Sequence, residues 1–239
     1  MSPETVGFIY PDHAAESDYP LAARLLRMKL PVVHVYGTDL HAVPELMDLG
    51  SPARLAHGAE LLAPHRPAAV VWACTSGSFV FGPEGAADQV DRLAAAAGVP
   101  ASSTSFAFVH ACAALGCSRV AVAASYPREI AELFADFLAA HGVTVDAMGD
   151  AGIDTAAEVG RLTDEQVREL TLGNDVPGAE ALLVPDTAMH TVAQVGELER
   201  LLGKPVLTAN VVTIWEGLRI AGAERHADGL GALFAEGGV

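Results

Sequence analysis

The sequence predicts an α/β fold built from two similar lobes, each with a four-stranded parallel sheet. Short, continuously apolar segments alternate with longer amphipathic ones, as expected for parallel strands that helices cover on both faces. The second half of the chain also repeats the first. Apolar segments that start at 5, 31 and 69 recur at 119, 143 and 181, a shift of about 112 to 114 residues.

Taken in order along the chain, eight strands are expected. They lie near residues 5–10, 31–36, 68–73, 100–104, 119–124, 143–148, 180–184 and 205–209. Helical patterns follow them, for example over residues 20–29, 52–63, 86–97, 127–140 and 190–202. Because parallel neighbours need crossover connections, these helices are predicted to link consecutive strands. Gly142 and Gly203 stand at the ends of two such patterns, where glycine commonly terminates a helix.

Residues at the strand ends strengthen the repeat. Ile9-Tyr10-Pro11 returns as Ser125-Tyr126-Pro127, and Thr104-Ser105 returns as Thr208-Ala209. We predict a first lobe of residues 1–98 plus 206–239 and a second lobe of residues 99–205, with limits good to about ten residues. Open parallel sheets bind ligands beyond the carboxyl ends of their strands, so two facing lobes would share one cleft there.

The composition excludes several kinds of partner. Lys+Arg number 14 against Asp+Glu 30, a net charge of −16, whereas nucleic acids and anionic membranes select basic surfaces. We therefore expect neither as a partner, although apolar helix faces would suit a homo-oligomer. Three cysteines give no disulfide framework, which is typical of a reducing compartment. No targeting segment is visible and no apolar stretch approaches about 18 residues, so the expected location is cytoplasmic.

The loops after the third strand of each lobe are the first candidates for a functional site. They are Cys74-Thr75-Ser76-Gly77-Ser78 and Pro185-Asp186-Thr187-Ala188-Met189. A shift of 112 residues carries Cys74 onto Asp186, so the repeat predicts a thiol and a carboxylate that face each other across the cleft.

Cys74 would serve as a nucleophile or a proton carrier if it lies among backbone N–H and hydroxyl donors. Core packing is the alternative role for a free cysteine, and it is the role that we expect for Cys112 and Cys117. Thr75, Ser76 and nearby main-chain N–H groups are suited to hold an oxyanion or a carboxylate, although such residues also make ordinary turns.

Further candidates lie at the ends of the first strand of each lobe. The Tyr126 hydroxyl is within reach of the same anion, and Tyr10 is its counterpart in the first lobe. A structural role is the alternative for both. His13, His41 and His190 fall in or near loops that border the predicted cleft, but we expect them on the surface or in packing contacts.

Several familiar motifs are absent from the sequence. It contains no P-loop, no G-x-G-x-x-G dinucleotide fingerprint and no G-x-S-x-G nucleophile elbow. The nine histidines show no metal-ligand spacing with one another or with the cysteines. We therefore expect neither a cofactor nor a metal, and the chemistry left is proton transfer or thiolate addition.

The chain resembles the aspartate/glutamate racemase superfamily, and within it the branch of maleate cis–trans isomerases and arylmalonate decarboxylases. The motifs that carry this resemblance are Cys74-Thr75-Ser76-x-Ser78-Phe79, Ala124-Ser125-Tyr126, Thr208-Ala209-Asn210 and Leu218-Arg219-Ile220-Ala221-Gly222. The resemblance implies two pseudo-twofold-related, Rossmann-like lobes with the active site in the cleft between them. It also implies a catalytic cysteine after the third strand of one or both lobes, and an enediolate pocket at the positions of Thr75, Ser76 and Tyr126.

The sequence departs from this branch at two places. Asp186 stands where the second-lobe cysteine is expected, which makes a two-thiol racemase improbable. The first loop, Tyr10-Pro11-Asp12-His13, lacks the asparagine with which the isomerases hold a carboxylate. We expect Tyr10, Pro11, Asp12 and Thr187 to contribute to substrate binding in its place.

Three functional hypotheses follow. The first is a cofactor-independent decarboxylase of a malonate-type acid, in which Cys74 protonates an enediolate and the apolar wall near Trp72 and Val80 favours loss of the carboxylate. The second is a maleate-type cis–trans isomerase with Cys74 as nucleophile and Asp186 as acid or base. The third, which the absent second cysteine favours, is a non-catalytic protein that binds a small acid. Each implies a small mono- or dicarboxylic acid as the ligand.

Overall fold

The computed structural model describes residues 5–11, 15–223 and 225–235, and within them two four-stranded parallel sheets. The strands of the first sheet are β1 (Val6–Pro11), β2 (Val32–Val35), β3 (Ala69–Trp72) and β4 (Ala101–Ser103). Those of the second are β5 (Arg119–Ala124), β6 (Thr144–Asp150), β7 (Ala181–Val184) and β8 (Val206–Thr208). Every predicted strand is present to within two residues at each end.

The strand order is the same in both sheets, which confirms the predicted duplicated α/β fold. It is β2-β1-β3-β4 in the first sheet and β6-β5-β7-β8 in the second. The central strands β1, β3, β5 and β7 are almost entirely buried, because helices cover both faces of each sheet. This is the reason that their sequences are continuously apolar rather than alternating.

Helices connect the strands, as the sequence predicts. They are α1 (Asp18–Leu26), α2 (Val43–Leu49), α3 (Pro52–Leu62), α4 (Ser76–Phe79), α5 (Gly82–Ala97), α6 (Thr104–Ala114), α7 (Arg128–Ala140), α8 (Ala156–Val159), α9 (Asp164–Gly173), α10 (Val195–Leu202) and α11 (Ala209–Ile220). The helix predicted over 190–202 begins only at Val195, since the preceding residues form a loop. Gly203 ends it with φ of 67°, a left-handed conformation that suits glycine. No helix among the described residues is long and apolar enough to cross a membrane.

The lobe limits of 98/99 and 205/206 stay a prediction. In the structure, the first sheet extends beyond residue 98, because β4 pairs with β3. The second sheet extends beyond residue 205, because β8 pairs with β7. These differences lie within the expected margin of about ten residues. Helix α11, which follows β8, packs back against β3 and β4 of the first sheet and against α6.

A buried carboxylate joins the two lobes. Asp18, at the start of α1, accepts hydrogen bonds from the N–H groups of Thr191 (3.0 Å) and Val192 (3.3 Å) in the second lobe. The side-chain amide of Asn210, on α11, donates to the same carboxylate oxygen at 2.9 Å. These contacts hold the strand-end loops of both lobes against each other.

Replacing Gly217 with alanine is expected to destabilise the fold by about 2 kcal/mol. A Cβ atom at this position would lie 2.6 Å from Val6 Cγ1 and 3.1 Å from Val71 Cγ2, because α11 packs directly on the first sheet. The matched control is G173A in α9, where nothing lies within 4 Å of the added atom. Urea unfolding would measure both changes, and equal stabilities for the two variants would contradict the expectation.

Candidate active site

A pocket lies where the strand-end loops of the two lobes meet. The space between its walls amounts to about 410 Å³ when the adjoining open solvent is included. Residues of three kinds line it: loop residues of the first lobe that follow β1 to β3, apolar residues of α2, and residues that follow β6 and β7 in the second lobe. They are Pro11, Gly37, Thr38, Asp39, Leu40, His41, Leu46, Leu49, Cys74, Ser76, Ala156, Asp186, Thr187 and Ala188.

Cys74 occupies the wall of this pocket directly beyond β3. Its Sγ accepts a hydrogen bond from the Gly77 N–H at 3.3 Å and lies 3.8 Å from the Ser76 hydroxyl oxygen. A Cβ atom at position 77 would lie 3.1 Å from this sulfur and 3.0 Å from Trp72 Cζ2, so the absence of a side chain at Gly77 avoids two tight contacts. The short turn into α4 thus fixes the position of the thiol.

The environment of Cys74 favours the neutral thiol. The pKa of Cys74 is raised to about 12: burial is the main cause and the Asp186 carboxylate adds to it, while hydrogen bonds from Gly77 and Ser76 act in the opposite direction. The side chain is only 4% exposed. At neutral pH, Cys74 therefore carries its proton and is suited to donate it.

Asp186 holds the equivalent position in the second lobe, two residues beyond β7 as Cys74 is two residues beyond β3. The Ser125 hydroxyl donates to its Oδ2 atom, and the Ala188 N–H donates to its Oδ1 atom at 2.9 Å. Both donors satisfy an ionised carboxylate. The structure places Asp186 and Cys74 on the wall of the same pocket, as the repeat predicts.

Three of the predicted binding residues lie behind this wall rather than in it. The hydroxyls of Thr75 and Tyr126 both donate to the Pro185 carbonyl oxygen, the latter at 2.8 Å, and the Tyr10 hydroxyl donates to the Thr187 carbonyl oxygen. Burial raises the pKa of Tyr126 well above its ordinary value, and the nearby Asp186 and Cys74 raise it further, so its hydroxyl stays a donor. All three hydroxyls thus donate to backbone carbonyl oxygens of the loop that follows β7.

Other predicted residues do line the pocket. Ser76, Thr187 and Pro11 face it directly. Asp12 and His13 lie outside the described residues. Trp72, expected in an apolar wall, is instead fully buried, and its indole N–H donates to the Gly77 carbonyl oxygen at 3.1 Å. The apolar part of the pocket wall is supplied by leucines, namely Leu40, Leu46 and Leu49.

His41 is a pocket residue that the sequence analysis assigned to packing or the surface. It belongs to segment 37–42, which connects β2 to α2, lines the pocket and contacts the second lobe. His41 N–H donates to the Asp154 carbonyl oxygen at 2.7 Å, and Ala156 N–H donates to the Asp39 carbonyl oxygen at 2.8 Å. The signal that would have identified this segment is its place after the carboxyl end of β2, where α/β proteins bind ligands.

The pocket is poor in positive charge. Among the described lining residues there is neither lysine nor arginine, whereas Asp39 and Asp186 are both acidic. His41 Nε2 lies 3.9 Å from Asp186 Oδ2, and the imidazole edge contacts the Tyr126 ring at a centroid distance of 5.0 Å. Any acid that enters this pocket must be held mainly by hydroxyls, N–H groups and this one imidazole.

Comparison with known proteins gives a consistent result. Residues 50–234 match the model of the arylmalonate decarboxylase family. The arylmalonate decarboxylase of Bordetella bronchiseptica is 30% identical over 242 residues, which cover 98% of each chain. A doubly substituted arylmalonate decarboxylase in a liganded form superposes with a TM-score of 0.86 at 26% identity, over 98% of this chain and 99% of the other. A maleate isomerase variant from Pseudomonas putida S16, solved with maleate, superposes with a TM-score of 0.90 over 99% of both chains, but at 21% identity this shows the fold alone.

Proposed function

The chain belongs to the arylmalonate decarboxylase family, and from this membership we propose that it decarboxylates a malonate-type acid without a cofactor, with Cys74 as the proton donor. The observation that carries the proposal is the protonated, buried thiol on the pocket wall. Decarboxylation leaves an electron pair on the α-carbon, which needs a proton from a group that still holds one. Cys74 meets this need because burial raises its pKa to about 12.

The reaction proceeds in two steps. The bond between the α-carbon and one carboxyl group breaks, CO₂ leaves, and the electron pair delocalises into the remaining carboxylate as an enediolate. The Cys74 S–H then protonates the α-carbon, and solvent restores the thiol proton. The leucines that line the pocket favour the first step. A carboxylate beside apolar side chains is poorly hydrated, and this lowers the barrier to its loss as neutral CO₂.

Hydroxyl donors are suited to stabilise the enediolate. Thr75 and Tyr126 already converge on one acceptor, the Pro185 carbonyl oxygen, at the edge of the Cys74 loop. Because both hydroxyls lie behind the pocket wall, an enediolate oxygen would receive their hydrogen bonds only after the Pro185 carbonyl moves aside. Preorganised donors of this kind supply much of the stabilisation in oxyanion-forming reactions.

A second candidate, cis–trans isomerisation of a maleate-type acid, is favoured by the presence of Asp186 and Cys74 on the wall of the same pocket. Here the Cys74 thiolate would add to the double bond, rotation would follow, and Asp186 would assist the proton movements. The raised pKa of Cys74 counts against this reaction, because a nucleophilic thiolate needs a lowered one. The decarboxylase is therefore the better-supported reading.

Incubation with phenylmalonate and with maleate in deuterated water, followed by NMR, tests the proposal. We expect phenylacetate that carries one deuterium on its α-carbon, and little or no fumarate. Fumarate from maleate without CO₂ release would establish the isomerase instead. Binding of either acid without turnover would identify a non-catalytic acid-binding protein and overturn both enzymatic readings.

A further inference from the structure

We infer that the His41–Asp186 pair takes up one proton when a dicarboxylate enters the pocket, and that His41 then donates from Nε2 to a carboxylate of that ligand. The inference deepens the proposed function. It rests on one part of it, namely that a dianionic acid binds in this pocket, and it does not require that the acid is decarboxylated. It assigns a role to His41, which the decarboxylation steps above leave unused.

The hydrogen bonds of His41 determine which nitrogen faces the ligand. Its Nδ1 atom lies 3.0 Å from the Ile153 carbonyl oxygen, which only accepts, so Nδ1 carries a hydrogen. In the neutral imidazole Nε2 is then an acceptor, and it points to Asp186 Oδ2 at 3.9 Å. Two acceptors therefore face each other across a gap at the pocket wall, an arrangement that a proton on Nε2 converts from repulsive to attractive.

Asp186 is not the group that takes this proton. Its two oxygens already accept hydrogen bonds from the Ser125 hydroxyl and the Ala188 N–H. Histidine, by contrast, is the side chain whose unperturbed titration falls between about pH 5 and 8. His41 is only 6% exposed, so its charge would act on the ligand with little screening by water.

The charges around the pocket supply the driving force. A dicarboxylate adds two negative charges to a pocket that already holds two acidic residues, and no lysine or arginine is among its described lining residues. Each added negative charge favours the protonated imidazole. The titratable groups around His41 are Asp186, Cys74 and Asp39 on the pocket wall, Tyr126 in ring contact, and Asp154 on the facing segment.

Calorimetric titration of maleate and phenylmalonate into the C74A variant, which prevents turnover, measures the proton uptake. Runs near pH 7 in two buffers of different ionisation enthalpy, such as PIPES and MOPS, give the number of protons bound per ligand. We expect roughly 0.5 to 1 proton. The inference would be overturned if the heats were equal in both buffers, or if neither acid bound.

Substitution of His41 identifies the group that is protonated. In the C74A background, H41N keeps a donor for the Ile153 carbonyl but removes Nε2, so proton uptake should fall close to zero and affinity about tenfold or more. The matched control is H57N, on the exposed surface of α3, which should leave the uptake unchanged. Undiminished uptake in H41N would assign the proton elsewhere and refute the role of His41.

Nitrogen NMR decides the question even if H41N does not fold. In the C74A protein labelled with ¹⁵N histidine, Nε2 of His41 should move from an acceptor-type to a protonated chemical shift when maleate binds, and an unchanged shift would refute the inference. The outcome is separate from that of the proposed reaction. Proton-linked binding in a protein whose wild-type form releases neither CO₂ nor fumarate would leave the inference standing and remove the decarboxylase.

Discussion

The C74A variant is expected to lose decarboxylation by about a thousandfold or more, because a positioned proton donor contributes on the order of 10² to 10⁴ in rate. Asp186, on the same pocket wall, already accepts hydrogen bonds from Ser125 and Ala188 at its two oxygens, and the proton proposed on His41 Nε2 is directed to a carboxylate of the ligand rather than to its α-carbon. The rate of phenylacetate formation, followed by NMR, measures the loss.

Two further variants sharpen this expectation. C74S preserves the shape of the side chain but supplies a much weaker acid, so it should remain close to C74A in rate. C117A is the matched control, because Cys117 lies outside the pocket, where its Sγ donates to the Leu115 carbonyl oxygen at 3.7 Å. It should keep turnover within about twofold. A C74A protein that retains more than about a tenth of the wild-type rate would contradict the assignment.

The Y126F variant is expected to lower the turnover number by about a hundredfold, the typical effect of removing one donor from an oxyanion pocket. Burial keeps the Tyr126 hydroxyl protonated, and it converges with Thr75 on a single acceptor. The same substitution also removes a hydrogen bond between two loops, at a cost of about 1 kcal/mol in stability. Rate and thermal unfolding are therefore measured together.

A conservative control separates the two effects. Tyr36 is 74% exposed, and Y36F should change neither the rate nor the stability appreciably. If Y126F lowers the melting temperature by a few degrees but leaves the turnover number intact, then its hydroxyl only joins the loops and does not contact the enediolate.

The fold could be predicted closely from the sequence because the signals for it are local. Continuous apolar runs mark the buried strands, and glycines such as Gly203 mark helix ends. The repeat then carries information from one lobe to the other, and so it predicts Asp186 at the position equivalent to Cys74. The start of α10 was missed because residues after β7 are held in a loop by the distant Asp18.

The site was predicted only in part, since several of its features depend on contacts between distant segments. The role of segment 37–42 rests on its pairing with residues 153–156, which leaves no local trace in the sequence. The hydroxyls of Thr75 and Tyr126 turn to a carbonyl of the other loop, and neither the spacing nor the residue types indicate that acceptor. The residue types predict which loops carry the reactive side chains, but hydrogen bonds between distant segments determine which of these side chains line the pocket.

The way that segment 37–42 is attached has a consequence for the kinetics of ligand exchange. Three hydrogen bonds fasten it to the second lobe: His41 N–H to Asp154, Ala156 N–H to Asp39, and His41 Nδ1 to the Ile153 carbonyl oxygen. At about 0.5 to 1.5 kcal/mol each, their loss costs about 1.5 to 4.5 kcal/mol, so roughly one molecule in ten to one in two thousand is open at any moment. The Asp18 contacts between the lobes need not break for this opening. Acids can therefore enter and leave while the two sheets stay fixed, and we expect bond cleavage rather than domain motion to limit turnover.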